Sequence, residues 1–328
     1  MLRQVGVFTP GETTPRVTLP VGNSEVGSKF FVKEITGLGP GKATISTASY
    51  AFIDGAAKIT DKSEMRNIII KIKYRDEAYM DQSLQELRRE LYAIFRVKQT
   101  VNLVFTNDNP VPDMQIEAIV ESHEPVMFAA EPEVQISLLA MDPHFKSLAP
   151  AVSTIPATGG GNSSNINHYS GWAKHWNLAD IPAGVEFEWT IGPSFPAATV
   201  SGAGFTWGIY MQYLNNGGSV QTVYLWNDEY KRATGADISP GNIITYRSVP
   251  GIKGAIGQRG SNRYNVVGAL TNSTARNTGA DFPHWVLMPA EPTRTQWFRM
   301  GVYGATNAVD LIENMTAKVT FTPLYEGM

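Results

Sequence analysis

The sequence predicts a mainly β protein, in which an α+β first domain with a β-barrel-like set of strands and one packed helix precedes a β-sandwich. Three observations support this prediction. Short segments of alternating apolar and polar residues, bounded by glycine, proline or asparagine, recur along the chain, as is typical of strands. Only residues 81–97 show a sustained helical period. From Trp172 onwards the chain is rich in aromatic residues and glycine, which favours a sandwich.

The length of 328 residues suits about two domains, each with its own core. Residues 1–145 are predicted to form the first domain. Residues 146–171 are rich in Ala, Pro, Thr, Gly, Ser and Asn, so we expect a linker or long loop there. Residues 172–328 then form the second domain, a β-sandwich.

The first domain opens with an extended segment, residues 1–28, which contains one or two short strands. It is either a loosely ordered terminus or an arm that pairs with a neighbouring subunit. In the strongest strand, Arg66–Tyr74, the isoleucines at alternate positions point to one side and the lysines to the other. Asp54-Gly55 is a hairpin turn signal. The predicted strands are Phe30–Ile35, Ala43–Phe52, Arg66–Tyr74, Thr100–Thr106, Met114–Glu121 and Glu133–Ala140.

The helix over residues 81–97 has one apolar face, because its large apolar residues recur three or four positions apart. Ser83 and Glu86 have the spacing of a capping box. An isolated helix of this length with a single apolar face is only marginally stable in water, so we expect it to pack on the strands. The residues of that face are Leu84, Leu87, Leu91 and Phe95.

The second domain contains short strand-like segments separated by turns, without a helical period. The charged residues between Asp228 and Arg232 are interpreted as a solvated turn, and Asp310–Asn314 as a single helical turn. The predicted strands are Val185–Ile191, Phe205–Leu214, Thr222–Trp226, Asn242–Val249, Asn262–Leu270, Trp285–Met288, Thr295–Tyr303 and Thr316–Pro323.

Composition limits the function. The net charge is −3, which lacks the basic character of a nucleic-acid binder. The absence of cysteine excludes disulfides, thiolate metal sites and cysteine nucleophiles. No apolar run suits a signal peptide or a transmembrane helix, so we expect synthesis in a cytoplasm.

No catalytic, cofactor-binding or metal-binding residues are predicted. Glu186 and Glu188 could imitate a glycosidase pair, but alternation along a half-buried strand explains them better. His168 and His175 have no third ligand at a suitable spacing. We therefore expect a protein without enzymatic activity.

The tryptophan residues suggest the main alternative hypothesis for the function. All of the tryptophans lie between Trp172 and Trp297, where most are expected to fill a sandwich core. Trp172 and Trp176 have polar neighbours and could instead stack on sugars. The alternative hypothesis is therefore a carbohydrate-binding module that contributes to adsorption on a host surface.

The ordered series of motifs resembles the N-terminal domain of siphophage distal tail proteins, and the resemblance covers roughly residues 30–328. The second half has weaker matches in Gly241–Ile244 and in Tyr325–Gly327. It also departs from the family: Asn242 stands where an acid is common, and the chain is longer near residues 155–170 and 193–222. The matching pieces of the first half are Ile35–Pro40, Ala51–Ala56, Arg66–Ile68, Arg88–Phe95, Val101–Phe105, Ile119–Pro125 and Glu133–Phe145.

This resemblance implies a β-barrel-like first domain with a helix and a galectin-like second domain. It further implies a structural virion protein that forms a homohexameric ring at the tail tip or baseplate. The expected partners are further copies of the chain, the tail tube protein and the baseplate hub protein. Genomic DNA would pass through the lumen without specific binding, and assembly would occur in the host cytoplasm.

Overall fold

The computed structural model divides the chain into two compact units. The first contains Met1–Ala149 and Leu324–Met328, and the second contains Pro150–Pro323. The predicted class, mainly β with one helix packed in the first domain and a sandwich in the second, is confirmed. The described residues are 1–22, 28–49, 54–74, 82–108, 111–125, 132–157, 162–164, 167–176, 180–200, 206–214, 220–249, 251–271, 287–288 and 295–328.

The first unit consists of strands and one α-helix among its described residues. Its elements are β1 (Leu2–Phe8), β2 (Val17–Pro20), β3 (Phe30–Thr36), β4 (Ala43–Ala48), β5 (Ala57–Ser63), β6 (Arg66–Tyr74), α1 (Leu84–Ile94), β7 (Thr100–Asn107), β8 (Met114–Pro125), β9 (Glu133–Ala140), β10 (Phe145–Ser147) and, from the end of the chain, β25 (Leu324–Tyr325).

Seven of these strands form one antiparallel sheet in the order β2-β1-β7-β8-β9-β6-β3. Its two outer strands meet, because Val21 and Val32 form a parallel bridge and the Gly22 N–H donates to the Val32 carbonyl at 3.2 Å. The sheet therefore curls into the barrel-like form that the sequence predicts. The short strand β10 pairs with both β8 and β25.

The N-terminal segment is part of this sheet. Strand β1 lies between β2 and β7, and Val5, Val7 and Leu19 are completely buried. The one or two short strands expected in residues 1–28 are therefore present, and the interpretation as a loosely ordered terminus was wrong for them. Their pairing partners lie within the same chain, and their alternating valines face its core.

Helix α1 is shorter than the predicted 81–97 but has the predicted face. Leu87 and Leu91 are completely buried, and Ile94 joins them. The capping box is present, since the Glu86 carboxylate accepts the Ser83 N–H at 2.8 Å and the Ser83 hydroxyl accepts the Glu86 N–H. The helix ends at Ile94, and Lys98 then turns the chain with a φ of +71°.

The second unit contains the remaining elements. They are β11 (Ala151–Ile155), β12 (Asn162–Ser164), β13 (Asn167–Tyr169), β14 (Ala173–Trp176), β15 (Ala183–Ile191), β16 (Gly208–Leu214), β17 (Val220–Trp226), α2 (Asn227–Thr234), β18 (Asn242–Arg247), β19 (Gly254–Arg259), β20 (Asn262–Asn265), a 3-10 turn (Val267–Ala269), β21 (Leu270–Thr271), β22 (Leu287–Met288), β23 (Thr295–Tyr303), α3 (Ala308–Glu313) and β24 (Met315–Phe321).

Two antiparallel sheets form the second unit. One has the order β11-β24-β15-β18-β19-β20, and the other has the order β12-β13-β23-β16-β17-β21, with β14 also paired to β23. The rings of Phe187 and Phe298 project from the two different sheets and lie 6.5 Å apart, with both side chains completely buried. The predicted β-sandwich is therefore confirmed, and its core is aromatic.

Two segments of the chain differ from expectation. Residues 146–171, predicted as a linker or long loop, contain the end of β10 and strands β11, β12 and β13. These strands are short, and strand pairing places them in the sheets: β11 pairs with β24, β13 pairs with β23, and β12 pairs with β13. The predicted turn at Asp228–Arg232 is helix α2, which buries Tyr230 completely and ends at Gly235 with a φ of +79°.

Within the described residues, no helix has the length and apolar character needed to cross a lipid bilayer.

Candidate assembly surfaces

Strands β4 and β5 form a two-stranded sheet of their own, here called the ribbon. Nearly every residue of the ribbon is exposed, including Ile45 at 59% and Ile59 at 66%. Ile45 lies opposite Asp61, and Ile59 is the unpaired extra residue where the register shifts. Because Ile59 lies two positions from Asp61, alternation puts both isoleucines on one face. Asp54-Gly55 follows β4, and Gly55 has the positive φ of +100° that its turn requires.

The ribbon has no hydrophobic core. An isolated hairpin is marginally stable in water, and β-branched apolar residues on its surface gain free energy when they are covered. Its charges, which include Lys58, Asp61 and Lys62, are of mixed sign and do not form a basic patch. The ribbon is therefore suited to pack against protein.

Arg66 organises a second feature of the first unit, although its side chain is only 6% exposed. Its Nε–H donates to the Pro143 carbonyl at 2.6 Å, and its Nη1 donates to the carbonyls of Gly37 and Gly39. Its Nη2 donates to the Glu326 carbonyl. The guanidinium also lies 4.6 Å from the centre of the Phe145 ring. The charge is thus balanced by carbonyl dipoles and a ring face.

Four segments of the motif series meet at Arg66: Ile35–Pro40, Arg66–Ile68, Glu133–Phe145 and Tyr325–Gly327. The approach is close, since a Cβ atom on Gly37 would lie 2.1 Å from the Asn67 carbonyl oxygen. The Met328 N–H donates to the Leu38 carbonyl at 2.9 Å. The motifs therefore have a shared structural role, which is to fix the end of the chain to the first unit.

The central role of Arg66 was missed at the sequence level, although a signal was present. Arg66 has the same strand parity as Ile68, Ile70 and Ile72, which predicts an inward-facing side chain. An inward arginine requires several acceptors, because a buried charge without partners is costly.

The two glutamates considered as a catalytic pair lie on the outer face of the first sandwich sheet. Glu186 forms an ion pair with Arg247, and Glu188 forms one with Lys318 at 2.9 Å. The alternate residues Phe187 and Trp189 are completely buried. The alternation interpretation therefore accounts for both carboxylates.

The histidines that the structure describes are separated. His123 is half-buried next to Tyr92, and the His144 Nδ1–H donates to the Asp142 carboxylate at 2.9 Å. The ring of His168 stacks on Tyr169. Within the described ranges, no group of three His, Asp or Glu side chains is placed to hold a metal ion.

The sugar-contact candidates lie on the second sheet of the sandwich. Trp172 is half-buried, and the Arg299 guanidinium lies 4.3 Å from the centre of its ring. Trp176 belongs to β14 opposite Thr295, but its side chain is outside the described part of the structure. Arg299 was not predicted as part of a site. Strand alternation along β23 places its side chain on the outer face of the sheet, and this pattern could have indicated its position.

Three of the other tryptophans are buried, as the core prediction expects. Trp189, Trp207 and Trp226 are buried, at 0%, 7% and 2% exposure. Trp297 is half-buried, and the Lys174 ammonium lies 5.6 Å from its ring centre. Trp285 lies outside the described residues.

Asn242, where the resembling family commonly has an acid, is 1% exposed. Its side-chain oxygen accepts the Ser239 N–H at 3.0 Å and the Tyr230 hydroxyl at 3.4 Å. An amide supplies this oxygen as well as a carboxylate does. The departure from the family pattern therefore leaves the turn before β18 intact.

No protein-family model matches the sequence, and no curated protein matches it significantly. Solved structures do match. The Dit protein of phage SPP1, described as a paradigm of the hub adsorption apparatus in phages that infect Gram-positive bacteria, has 10% identity and a TM-score of 0.57 over 98% of both chains. Baseplate structures of phage P2, activated with calcium or strontium, have TM-scores of 0.40 at 10% and 9% identity, also over 98% of both chains.

The molecule is thus a two-unit β protein: one unit is a barrel-like sheet with one helix, and the other is a β-sandwich inserted near the end of the first unit's sequence. Its fold is that of the Dit protein of phage SPP1. The resemblance to distal tail proteins that the motif series indicated is confirmed for the fold.

Proposed function

We propose that this chain is a structural protein of a phage tail, which joins the tail tube to the baseplate or tail tip as a homohexameric ring. The observation that carries the proposal is the Dit fold, which extends over 98% of both chains. The ordered motif series supports the same function from the sequence side.

The ribbon supports self-association in particular. Its isoleucine face has no covering within the described residues, and a second copy of the chain supplies the same surfaces in a closed ring. Repetition around a symmetry axis would cover the ribbon of every subunit. We therefore propose the ribbon as an arm that packs on the neighbouring subunit.

The lumen of the ring would continue the tail tube, and genomic DNA would pass through it without specific binding. The net charge of −3 is consistent with this function. A lumen lined with Lys and Arg would hold phosphate groups through counterion release and slow the transfer of DNA.

The proposed partners are the tail tube protein on one side of the ring and the baseplate hub protein on the other. The proposed location is the tail tip of the virion, after assembly in the host cytoplasm. The proposed role is structural and non-enzymatic, because the paired charges and the separated histidines described above offer no acid–base or nucleophilic arrangement.

Native mass spectrometry of the full chain tests the proposal. We expect a species of about 215 kDa, six times the 35.9 kDa of one chain. A chain that remains monomeric at high concentration, and also when mixed with its phage's tail tube and hub proteins, would refute the ring.

A further inference from the structure

The outer face of the second sandwich sheet holds an arginine in contact with two aromatic rings. The Arg299 guanidinium carbon lies 3.8 Å from the centre of the Tyr169 ring and 4.3 Å from that of Trp172. All three side chains are half-buried, so part of each remains accessible. Stacking of this kind fixes the plane of the guanidinium.

A line of polar side chains orients the same arginine. Its Nε–H donates to the Gln212 Oε1 at 2.6 Å, and Gln212 Nε2 donates to the Thr222 hydroxyl at 3.2 Å. These residues lie on the adjacent strands β23, β16 and β17, so the line crosses the sheet. Within the described part of the chain, Arg299 has no ion pair, and its two Nη groups donate no hydrogen bond.

The charge of this face is of one sign. The strands of the sheet carry Lys174 and Arg299 and contain no Asp or Glu in their sequences. A fixed guanidinium with unused Nη groups binds carboxylate or phosphate through two parallel hydrogen bonds. The aromatic rings beside it offer apolar surface with a polar rim, which suits the alternating C–H and hydroxyl groups of a sugar.

We propose that Tyr169, Trp172 and Arg299 form a binding site for an anionic carbohydrate, a sugar that carries a carboxylate or phosphate group. Arg299 binds the anionic group, and Trp172 and Tyr169 contact the sugar ring. Gln212 is a positioning residue, because it acts through Arg299. The proposal does not depend on the hexameric ring, since every contact lies within one sandwich.

Isothermal titration calorimetry with the full chain tests this site. The acidic probes are a tetrasaccharide of alternating glucuronate and N-acetylglucosamine, and glucose 6-phosphate. Chitotetraose is the neutral sugar probe, and inorganic phosphate is the anion without a sugar. We expect at least one acidic sugar to bind at least tenfold more tightly than both of these (roughly the contribution of one charged hydrogen-bond pair).

Variants separate the roles of the residues. Arg299→Gln should weaken acidic-sugar binding by about tenfold or more. Trp172 lies outside the strands, so Trp172→Ala provides a second variant if Arg299→Gln does not fold. Arg263→Gln, an exposed arginine on β20 of the other sheet, is the matched control and should bind as the wild type does.

Three results would overturn the proposal. They are no binding of either acidic sugar, equal binding of inorganic phosphate, and retained affinity in folded Arg299→Gln and Trp172→Ala proteins. Equal binding of phosphate would identify a simple anion site, and binding of an acidic hexapeptide as tightly as the sugars would identify a protein-docking surface instead.

Discussion

Arg66 illustrates at the residue scale how one side chain can join distant parts of a sequence. Burial lowers the pKa of Arg66, and the nearby Glu326 opposes that change. The side chain nevertheless remains charged, because the ordinary pKa of arginine is far above neutrality. The carbonyls around it come from three separate segments, one of them at the end of the chain.

Replacing Arg66 should destabilise the first unit. Arg66→Met leaves four carbonyls without their donor, which we expect to cost roughly 2–4 kcal/mol in the free energy of unfolding. The measurement is urea unfolding of the full chain, with the first unit followed separately by hydrogen exchange. Arg89→Met, at an exposed position of α1, should change stability by less than about 0.5 kcal/mol. Equal effects of the two variants would contradict the role assigned to Arg66.

His123 makes stability dependent on pH. Burial lowers the pKa of His123 below its ordinary value of 6.5, although the hydrogen bond to the Phe95 carbonyl opposes the change. Its Nε2 is buried without a partner in the described residues. Between the folded and unfolded pKa values the unfolded chain binds more protons, so its contribution is complete above about pH 6.5 and is lost as pH falls towards the folded value.

We therefore expect His123→Gln to lose less stability than the wild type does between pH 7.5 and pH 5. The measurement is the unfolding free energy of the first unit at both values of pH. An identical loss in both proteins would show that His123 does not carry this dependence.

At the scale of elements, the long periodic segments could be predicted and the short polar ones could not. The isoleucine alternation of β6 predicts a strand directly, and the leucine period of α1 predicts a helix. Strands β12 and β13 contain few apolar residues; they pair with each other, and the pairing of β13 with the distant strand β23 joins them to the sheet. Helix α2 was missed because Tyr230 is the only large apolar residue in an otherwise polar and charged segment.

The candidate sites could likewise be predicted only in part. The sequence indicated Trp172 as an aromatic residue in polar surroundings, and the structure places it against Arg299. That contact could not be predicted, because it joins residues 127 positions apart through sheet register. For the ribbon, the sequence predicted the strand Ala43–Phe52 and the turn at Asp54-Gly55, but not strand β5. The separation of the ribbon from the main sheet is a property of tertiary packing.

Helix α1 should depend on its buried face. Leu91→Ala removes a completely buried side chain, and we expect a loss of about 2–5 kcal/mol in the unfolding free energy of the first unit. Gln85→Ala, an exposed position of the same helix, should be nearly neutral. Comparable losses in the two variants, measured by urea unfolding, would contradict the packing described for α1.

The ribbon should control association rather than folding. The double variant Ile45→Asp with Ile59→Asp places charge on an exposed face, so the thermal midpoint of the subunit should stay within about 2 °C of the wild type. Sedimentation velocity should show the loss of the assembled species, because two buried carboxylates at each contact are unfavourable. Ile252→Asp, at 57% exposure in the second unit, is the matched control and should assemble normally. Normal assembly of the double variant would show that the ribbon is not part of the contact between subunits.

At the scale of the whole molecule, the chain leaves the first unit at Pro150 and returns to it at Leu324. The second unit is therefore an insertion within the first, bounded by β10 and β25, which pair with each other. Each unit has its own set of internal contacts. In the proposed assembly, a ring is the closed form that uses one repeated contact.

Electron cryo-microscopy of the purified full-length protein, alone and mixed with its tail tube and hub proteins, tests the central claim most directly. We predict class averages of a hollow ring with sixfold symmetry, in which each ribbon lies against the neighbouring subunit. Single subunits under both conditions, or a closed particle without a central channel, would contradict it.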